Sequence, residues 1–384
     1  MQPIFAGLLA AFVGFASTFA VVIQGLTAVG ASQAQAASGL MALSILMGVC
    51  GIALSLWRRQ PIGVAWSTSG AALLAAYGAP DGGFPIAVGA FLTCAGLIVA
   101  AGLYRPLGRA VERIPPALAS AMLAGILLNL CLAPVKAVAT VPALGLPVVL
   151  IWALMLRVRR VLAAPVAVVA AFGLLALEGS AAGPGGWWPG PIFIAPMFVT
   201  PEFSLAATIG LALPLFIVTM ASQNIPGMAV LHLNGYRPPA GPLFVATGLF
   251  NLVAAPFGGH AINLAAITAA MCAGPEVHPD PARRYPAAIV AGLGYIAFGL
   301  VAGAATAFIA ASPPILIQAV AGLALLASFG GALLGAMRDD ATREAAVVTF
   351  VVTASAQSLL GIGGAFWGLL AGGAMLGLAR LGRR

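Results

Sequence analysis

The sequence predicts an all-α polytopic membrane protein with fourteen transmembrane spans arranged as a 7+7 inverted repeat. Three observations predict it: the composition, the placement of the charged residues and two pairs of matching motifs. Of 384 residues, 62% are hydrophobic and only 7% are charged, whereas a soluble domain has about 25% charged residues. A soluble core cannot hide that much apolar surface, which excludes a water-soluble enzyme and a nucleic-acid-binding protein.

Fourteen apolar segments, separated by polar, Gly or Pro residues, are predicted as spans. At about 20 residues each they use about 280 residues, which leaves no room for a soluble domain. Segment 179–203 is rich in Pro and Gly and is interpreted as an interfacial linker, with Trp187 and Trp188 at headgroup level. The predicted spans are 4–24, 34–57, 61–78, 84–104, 115–133, 141–157, 160–178, 204–222, 240–255, 257–273, 286–310, 313–336, 343–359 and 361–380.

The charged residues support this count. All sixteen arginines follow even-numbered spans, from Arg58 after span 2 to Arg384 at the end of the chain. The opposite loops carry one lysine, Lys136, and acids such as Asp81. Under the positive-inside rule, both termini are therefore expected in the cytoplasm. The N-terminal segment lacks a basic region and a cleavage site, so it is expected to remain as span 1.

Two pairs of motifs recur seven spans apart. QPIG at 60–63 opens span 3, and APFG at 255–258 opens span 10, which is 195 positions later. IPPAL at 114–118 opens span 5, and SPPIL at 312–316 opens span 12, which is 198 positions later. Because seven is odd, the second copy must enter the bilayer from the opposite side. This inverted repeat is typical of secondary transporters.

Spans 3 and 10 are interrupted, and short broken spans at matching positions point to a transporter's binding site. In span 3, residues 63–66 have an extended character, and Ser67, Thr68 and Ser69 supply cap residues for a half-helix. The N-terminus of such a helix has unpaired N–H groups and the positive end of the helix dipole. It can therefore bind an anion without a basic side chain.

Span 10 has the matching features. Gly258, Gly259 and His260 precede a second half-helix, which is expected from about Ala261 with Asn263 in its first turn. Two half-helix N-termini that face each other would form an anion site. The four cysteines lie in apolar runs without metal-ligand spacing, so neither a metal site nor a cofactor is predicted.

The sequence resembles the benzoate membrane transporters of bacteria, the BenE-type benzoate:proton symporters, over essentially the whole chain. The resemblance is densest in IPPALASAMLAG at 114–125, TMASQNIPG at 219–227 and PFGGHAINL at 256–264. More distantly, the chain resembles the nucleobase and sulfate transporter folds, which are fourteen-span inverted repeats with a core and a gate domain. That resemblance implies a core domain at 1–113 and 204–311 and a gate domain at 114–203 and 312–384.

The resemblance implies a secondary active transporter that imports benzoate, or a related aromatic carboxylate, with protons across the bacterial inner membrane by alternating access. Nucleobase transporters of this fold carry carboxylates in spans 8 and 10, whereas the core spans here contain no Asp or Glu. That difference suits a substrate with its own carboxylate, which another acid would repel. The expected partners are this substrate, protons and the bilayer, and a homodimer is one expected assembly.

Side chains from other spans complete the expected site. Gln223 and Asn224 offer amide donors, although amides in membranes also serve helix packing. Phe19 and Trp66 offer ring faces for an aromatic substrate, with core filling as the alternative. Gln24 ends span 1 and adds a polar group. The predicted substrate-binding residues are Phe19, Gln24, Trp66, Ser67, Thr68, Ser69, Gln223, Asn224, Gly258, Gly259, His260 and Asn263.

His260 is the ionisable side chain expected at membrane depth in the core domain. An imidazole titrates near neutral pH, and buried ionisable groups in membranes are usually functional, so His260 is the predicted proton carrier. A neutral histidine hydrogen-bonded in the core is the alternative interpretation. A transporter of another organic or inorganic anion and a passive facilitator stay open as functions. No Walker, HExxH or GxSxG motif is present, which argues against an ATP-driven pump and a membrane enzyme.

Overall fold

The fold is a bundle of helices in a computed structural model that describes residues 2–104, 106, 115–177 and 192–381. Trp187, Trp188 and Arg384 lie outside the described residues. The helices are α1 (Gln2–Ala28), α2 (Gln33–Arg58), α3 (Thr68–Tyr77), α4 (Phe84–Leu103), α5 (Pro116–Thr140), α6 (Pro142–Val158), α7 (Ala163–Leu177), α8 (Leu205–Leu233), α9 (Ala240–Ala254), α10 (Ile267–Ala273), α11 (Tyr285–Leu300), α12 (Ala302–Ala311), α13 (Pro314–Met337), α14 (Arg343–Ala354) and α15 (Gly364–Leu381). Two strands, β1 (Val64–Trp66) and β2 (Ile262–Leu264), and three 3₁₀ turns, Arg160–Leu162, Ala255–Phe257 and Pro281–Arg283, complete the secondary structure of the described residues.

Each predicted span corresponds to one of these helices, except that α11 and α12 share span 11 and that spans 3 and 10 are each a strand followed by a helix. Eight helices in the described part of the chain are long and apolar enough to cross a membrane. The pair Pro281–Leu300 and Ala302–Ala310, bent by 53°, would make a ninth. The structure therefore confirms a multi-pass helical protein, while the count of fourteen spans stays a prediction.

Local sequence signals explain where the helices begin. Ser32 and Gln35 form a capping box at the start of α2, in which each side chain bonds the backbone N–H of the other residue. Proline occupies the first turn of α5, α6, α11 and α13, where its missing N–H costs nothing. The prolines before α5 and α13 have almost the same backbone angles: φ is −55° at both, with ψ 124° at Pro115 and 126° at Pro313.

The helices pack in two sets. In one set, α2 packs on α11, α4 on α9, and α1 on α3 and α11. In the other set, α5 packs on α13 and α14, α14 on α15, and α6 on α7. The described part of the predicted linker, residues 192–203, has no helix, and it bonds to the first set through Met197 N–H to Ser38 Oγ (2.8 Å) and Val199 N–H to the Pro256 carbonyl (2.7 Å).

A candidate substrate site beside two paired strands

The two strands pair antiparallel in the middle of the first helix set. Ala65 lies opposite Asn263, with Val64 opposite Leu264 and Trp66 opposite Ile262. Two further backbone bonds flank the strands, from Ser67 N–H to the Ala261 carbonyl and from Ala265 N–H to the Gly63 carbonyl, both 2.9 Å. Because the strands run in opposite directions, α3 and α10 leave this point in opposite directions.

The first turn of α3 has the predicted form. Ser67 is the N-cap, and its hydroxyl oxygen accepts the N–H of Gly70 at 3.0 Å and the hydroxyl of Thr219 at 3.0 Å. The cap leaves the N–H groups of Thr68 and Ser69 without an intrahelical acceptor, as in any first helical turn. These groups and the helix dipole make this end of α3 attractive to an anion.

Span 10 differs from the sequence prediction. Its helix begins at Ile267, not near Ala261, and Asn263 lies in β2 instead of a first helical turn. Two buried amides hold the strand: the Asn224 side-chain oxygen accepts the N–H of Leu264 at 2.9 Å, and the Asn251 amide donates to the Ile262 carbonyl at 2.9 Å. Together with pairing to β1, these bonds satisfy the backbone in extended form, so the helix starts later.

α8 continues well past its predicted end at residue 222 and contains a π-helical turn at Met220–Asn224. Pro226 explains the turn, because it has no N–H to give to the carbonyl of residue 222, four positions earlier. Such π-turns are frequent at functional sites. This turn presents Ser222 and Gln223 toward α3, whereas Asn224 bonds to β2.

A cavity of about 490 Å³, which we call the central cavity, lies between the two helix sets. Its volume is in the range of small-molecule sites, about 300–1,000 Å³. One side belongs to α3, α8 and the start of α10, and the other to α5 and α13. Its lining residues are Ser69, Pro116, Ala119, Ser120, Leu123, Val218, Ala221, Ser222, Gln223, Ile225, Ala266, Ile267, Ser328, Gly331 and Ala332.

Three side chains on the first side form what we call the polar wall: Ser69, Ser222 and Gln223. The Ser69 and Ser222 hydroxyls share a hydrogen bond of 3.0 Å, and the Gln223 amide donates to Ser69 Oγ at 3.3 Å. That bond uses one of the two amide N–H donors of Gln223. The lining residues carry no charge, so the central cavity offers neutral donors to a polar group and apolar surface to the rest of a ligand.

Ser69 and Gln223 are the predicted site residues that line the central cavity. Ser67, Asn224 and Asn263 are fully buried behind the polar wall, where they hold the cap of α3 and the strand β2. His260 is also behind it, with 1% of its surface exposed. Its Nε2 is 2.8 Å from the carbonyl oxygen of Ser67, and its Nδ1 has no partner among the described residues.

The other predicted residues do not line the central cavity, among them Thr68, which is partly buried at the first position of α3 next to Ser69. Trp66 and Phe19 are buried in an aromatic cluster with Phe15, and the Trp66 indole donates to the Thr18 hydroxyl at 2.9 Å. Gln24 lies on α1, and its buried side-chain oxygen has no partner among the described residues.

The predicted glycines serve the turn before β2. Gly258 has a φ of 92°, which favours glycine, and lies against Gly39 of α2. Gly259 packs closely on Ala254, where an added Cβ would lie 2.7 Å from the Ala254 Cβ. Both glycines therefore support β2 from outside the central cavity.

Sequence reasoning did not select several residues of this site. Asn251 and Thr219 hold β2 and the α3 cap, and isolated polar residues in apolar helices are a signal that could have identified them. Ser120 and Ser328, on the opposite side of the central cavity, had no such signal, because serines occur throughout the apolar helices. Among the described residues, no group of His, Cys, Asp and Glu side chains could hold a metal ion.

A family model described as "Benzoate membrane transport protein" matches residues 1–378. The chain belongs to the benzoate membrane transport protein family. It is 42% identical over 370 residues to the inner membrane protein YdcO of Escherichia coli, covering 96% of this chain and 93% of that protein. It is 34% identical over 372 residues to the benzoate membrane transport protein of Acinetobacter baylyi, covering 96% and 92%.

Solved structures of anion transporters share the fold of this benzoate transport family member. The transmembrane domain of a cyanobacterial bicarbonate transporter, BicA, has a TM-score of 0.67 and 15% identity, with 97% of both chains covered. Murine Slc26a9, described as an anion transporter in the inward-facing state, has a TM-score of 0.64 and 16% identity, covering 100% of this chain and 68% of that one. The family predicted by resemblance is thus confirmed: the chain is a multi-pass membrane transporter.

Proposed function

We propose that this protein is a secondary active transporter of the bacterial inner membrane that imports benzoate, or a related aromatic carboxylate, together with protons. The observation that carries the proposal is the central cavity, with neutral donors on one side and apolar surface around them. Family membership supports a benzoate-like substrate, and the relative from Escherichia coli supports the inner membrane.

In the proposed complex, the carboxylate binds at the polar wall. It accepts hydrogen bonds from the free amide N–H of Gln223 and from the backbone N–H groups in the first turn of α3. The aromatic ring packs against Leu123, Ile225 and Ile267. Neutral donors suit a transported anion, because hydrogen bonds from a fixed cation are about twice as strong and would slow its release.

We propose that the chain is a fourteen-span 7+7 inverted repeat. The central strand pair supports this proposal, because Ala65 and Asn263 are 198 positions apart, the same offset that separates the Pro-Pro motifs before α5 and α13. A two-fold axis in the membrane plane would pass between these paired residues. The nearly identical backbone angles of Pro115 and Pro313 are a second match at that offset.

We propose a core domain of residues 1–113 and 204–311 and a gate domain of residues 114–203 and 312–384, which correspond to the two packing sets. With the arginine loops and both termini in the cytoplasm, the central cavity lies toward the cytoplasmic ends of α5 and α13. At the opposite ends, Tyr77 donates to the Gly361 carbonyl at 3.1 Å, and a separate pocket beside Tyr77 has a volume of only about 20 Å³. This arrangement corresponds to the inward-facing state of an alternating-access cycle, and a homodimer is the proposed assembly.

Proton coupling follows from the energetics of an anionic substrate. Moving one negative charge into a negative-inside cell costs about 2.3 kcal/mol per 100 mV. One co-transported proton cancels that charge, and each unit of pH difference adds about 1.4 kcal/mol of driving force. His260 is the proposed proton carrier, since its Nδ1 has no partner among the described residues and its Nε2 contacts the carbonyl oxygen of Ser67, the N-cap of α3.

The test is uptake of labelled benzoate into proteoliposomes that contain the purified full-length protein. We expect accumulation above the external concentration under an inward proton gradient, at an initial rate well above that of protein-free vesicles, which neutral benzoic acid also enters, and loss of that accumulation when a protonophore is added. Equilibration without accumulation would show a passive facilitator instead. Competition of labelled benzoate uptake by aromatic acids, aliphatic acids and bicarbonate then defines the substrate class. Uptake that no aromatic acid inhibits would refute the proposal.

A further inference from the structure

A second cavity, which we call the arginine cavity, has a volume of about 540 Å³ and lies where the ends of α1, α2 and α11 meet. It shares no lining residue with the central cavity. All three helix ends are predicted to be cytoplasmic. Its lining residues are Pro3, Arg59, His278, Ala282, Arg283, Tyr285 and Pro286.

The charge of the arginine cavity is positive. Arg59 follows α2 with a left-handed backbone (φ 52°) and has no acidic partner among the described residues. Arg283 Nε is 3.7 Å from an oxygen of Asp280, whose other oxygen accepts the N–H of Ala282 at 2.9 Å. Of the two lining arginines, only Arg283 therefore has a carboxylate nearby among the described residues. His278 Nδ1 lies 3.0 Å from the backbone nitrogen of Asp280 and 3.2 Å from the Asp280 carbonyl oxygen, so the ring is held against this loop.

The loop that carries Arg283 and His278 is held in place by hydrogen bonds from Arg284 and Tyr236. Arg284 is buried, and its guanidinium donates to the backbone carbonyls of His278 (2.6 Å), Ala273 (2.9 Å) and Pro279 (3.1 Å). The hydroxyl of Tyr236, from the loop after α8, donates to the Pro281 carbonyl at 2.8 Å. These bonds fix the loop before a ligand arrives, so binding does not have to order it.

Apolar side chains continue from the cavity along the surface of the bundle. Ile4, Phe5 and Leu8, the residues after Pro3 on α1, are each more than half exposed, and so is Trp57 at the end of α2. In a membrane protein such a surface contacts acyl chains. A cationic recess above an acyl-chain surface matches the two parts of a phospholipid.

We propose that the arginine cavity binds an anionic phospholipid, with its phosphodiester between Arg59 and Arg283 and its acyl chains along α1. Guanidinium groups bind phosphate oxygens through paired hydrogen bonds, and basic recesses between helices on the cytoplasmic side suit anionic headgroups. The apolar surface next to Pro3 selects a lipid over a soluble phosphate. The inference depends on the chain being a membrane protein and not on which substrate it transports.

The experiment titrates the delipidated full-length protein in neutral detergent with phosphatidylglycerol and measures bound lipid by native mass spectrometry and by the shift in unfolding temperature. Phosphatidylcholine and inorganic phosphate are the comparison ligands. The variants are Arg59→Gln and Arg283→Gln, and Arg338→Gln is the matched control, an exposed arginine that does not line the cavity.

We expect phosphatidylglycerol to bind and to raise the unfolding temperature, with phosphatidylcholine at least tenfold weaker. Each cavity variant should weaken phosphatidylglycerol binding by roughly tenfold or more, and the control should bind like the parent protein. If Arg59→Gln does not fold, Arg59→Lys should fold and retain part of the affinity, and Arg283→Gln carries the test. Equal binding of the two lipids, displacement of the lipid by inorganic phosphate, or cavity variants that bind like the parent would each overturn the proposal.

Discussion

Substituting Ser69 by Ala tests where the carboxylate binds. Ser69 is 5% exposed and lines the central cavity, and its hydroxyl accepts a hydrogen bond from the Gln223 amide. Without it, Gln223 loses an acceptor and is free to turn away, so one hydrogen bond to the carboxylate is lost. A hydrogen bond to a charged group contributes about 1.5–3 kcal/mol, which corresponds to roughly ten- to hundredfold in affinity.

The same substitution should do little harm to folding. The cap of α3 is Ser67, which stays in place, and a lost neutral hydrogen bond costs about 1 kcal/mol. Equilibrium binding of radiolabelled benzoate to purified protein measures the dissociation constant, and thermal unfolding monitors the fold. Ser55→Ala is the matched control, because Ser55 is equally buried and bonds the Ile62 carbonyl at 3.2 Å but does not line the central cavity.

Two experimental outcomes would contradict this prediction. If folded Ser69→Ala binds benzoate as tightly as the parent protein, the carboxylate does not bind at the polar wall. If Ser55→Ala weakens binding as much as Ser69→Ala does, the loss reflects a general loosening of the first helix set and not a lost contact. Unchanged binding in Ser55→Ala and weaker binding in Ser69→Ala would support the proposed position of the carboxylate.

Three further predictions follow from the proposed cycle and membrane topology. His260→Gln should abolish accumulation of benzoate under a proton gradient but spare exchange at equal pH; retained accumulation would place the proton on the substrate's carboxyl group. Tyr77→Phe removes the hydrogen bond to the Gly361 carbonyl, which contributes about 1 kcal/mol. The ratio of outward-facing to inward-facing protein should therefore rise about fivefold. Unchanged accessibility of an engineered cysteine from the periplasmic side would contradict this. Asp81→Cys should react with impermeant reagent on intact cells and Arg338→Cys should not, against a background of four buried native cysteines; the reverse pattern would invert the topology.

Much of the fold could be predicted because its signals are local. The caps at Ser32 and Ser67 and the prolines that open α5 and α13 mark helix starts in the sequence itself. The length of each apolar segment indicates where a membrane span lies. The extended segment before Ser67 was also predictable, since it lies between a Pro-Ile-Gly turn and a strong helix cap.

The form of span 10 could not be predicted, because it depends on partners distant in sequence. Ile262 and Leu264 are extended since β1, Asn224 and Asn251 supply their hydrogen bonds. Locally, Asn263 fits a helical first turn as well as it fits a strand. A side chain on a different helix decides between the two, and a single sequence does not reveal that contact.

The sequence indicates which residues lie near the two broken spans, but it does not indicate which of their side chains line the central cavity. A residue's place beside a broken helix does not determine on which side of the backbone its side chain lies. Trp66 and Ser69 are three positions apart, yet Trp66 packs into the aromatic cluster behind the strands and Ser69 lines the central cavity. Trp66 is the last residue of β1, where successive side chains alternate faces, whereas Ser69 lies in the first turn of α3, so the change from strand to helix between them sends the two side chains to different surfaces.

The distribution of polar groups around the central cavity is consistent with movement between the helix sets. Ser69, Ser222 and Gln223 all belong to the set that contains the paired strands, so a carboxylate bound to them would stay bound if that set moved as one body. The opposite side, formed by α5 and α13, offers chiefly small and apolar side chains such as Ala119, Leu123, Gly331 and Ala332. Apolar contacts are non-directional, so sliding along this side breaks few hydrogen bonds. The bond from Tyr77 to Gly361 joins the two sets at the far end, and its loss is a step that the proposed outward opening requires.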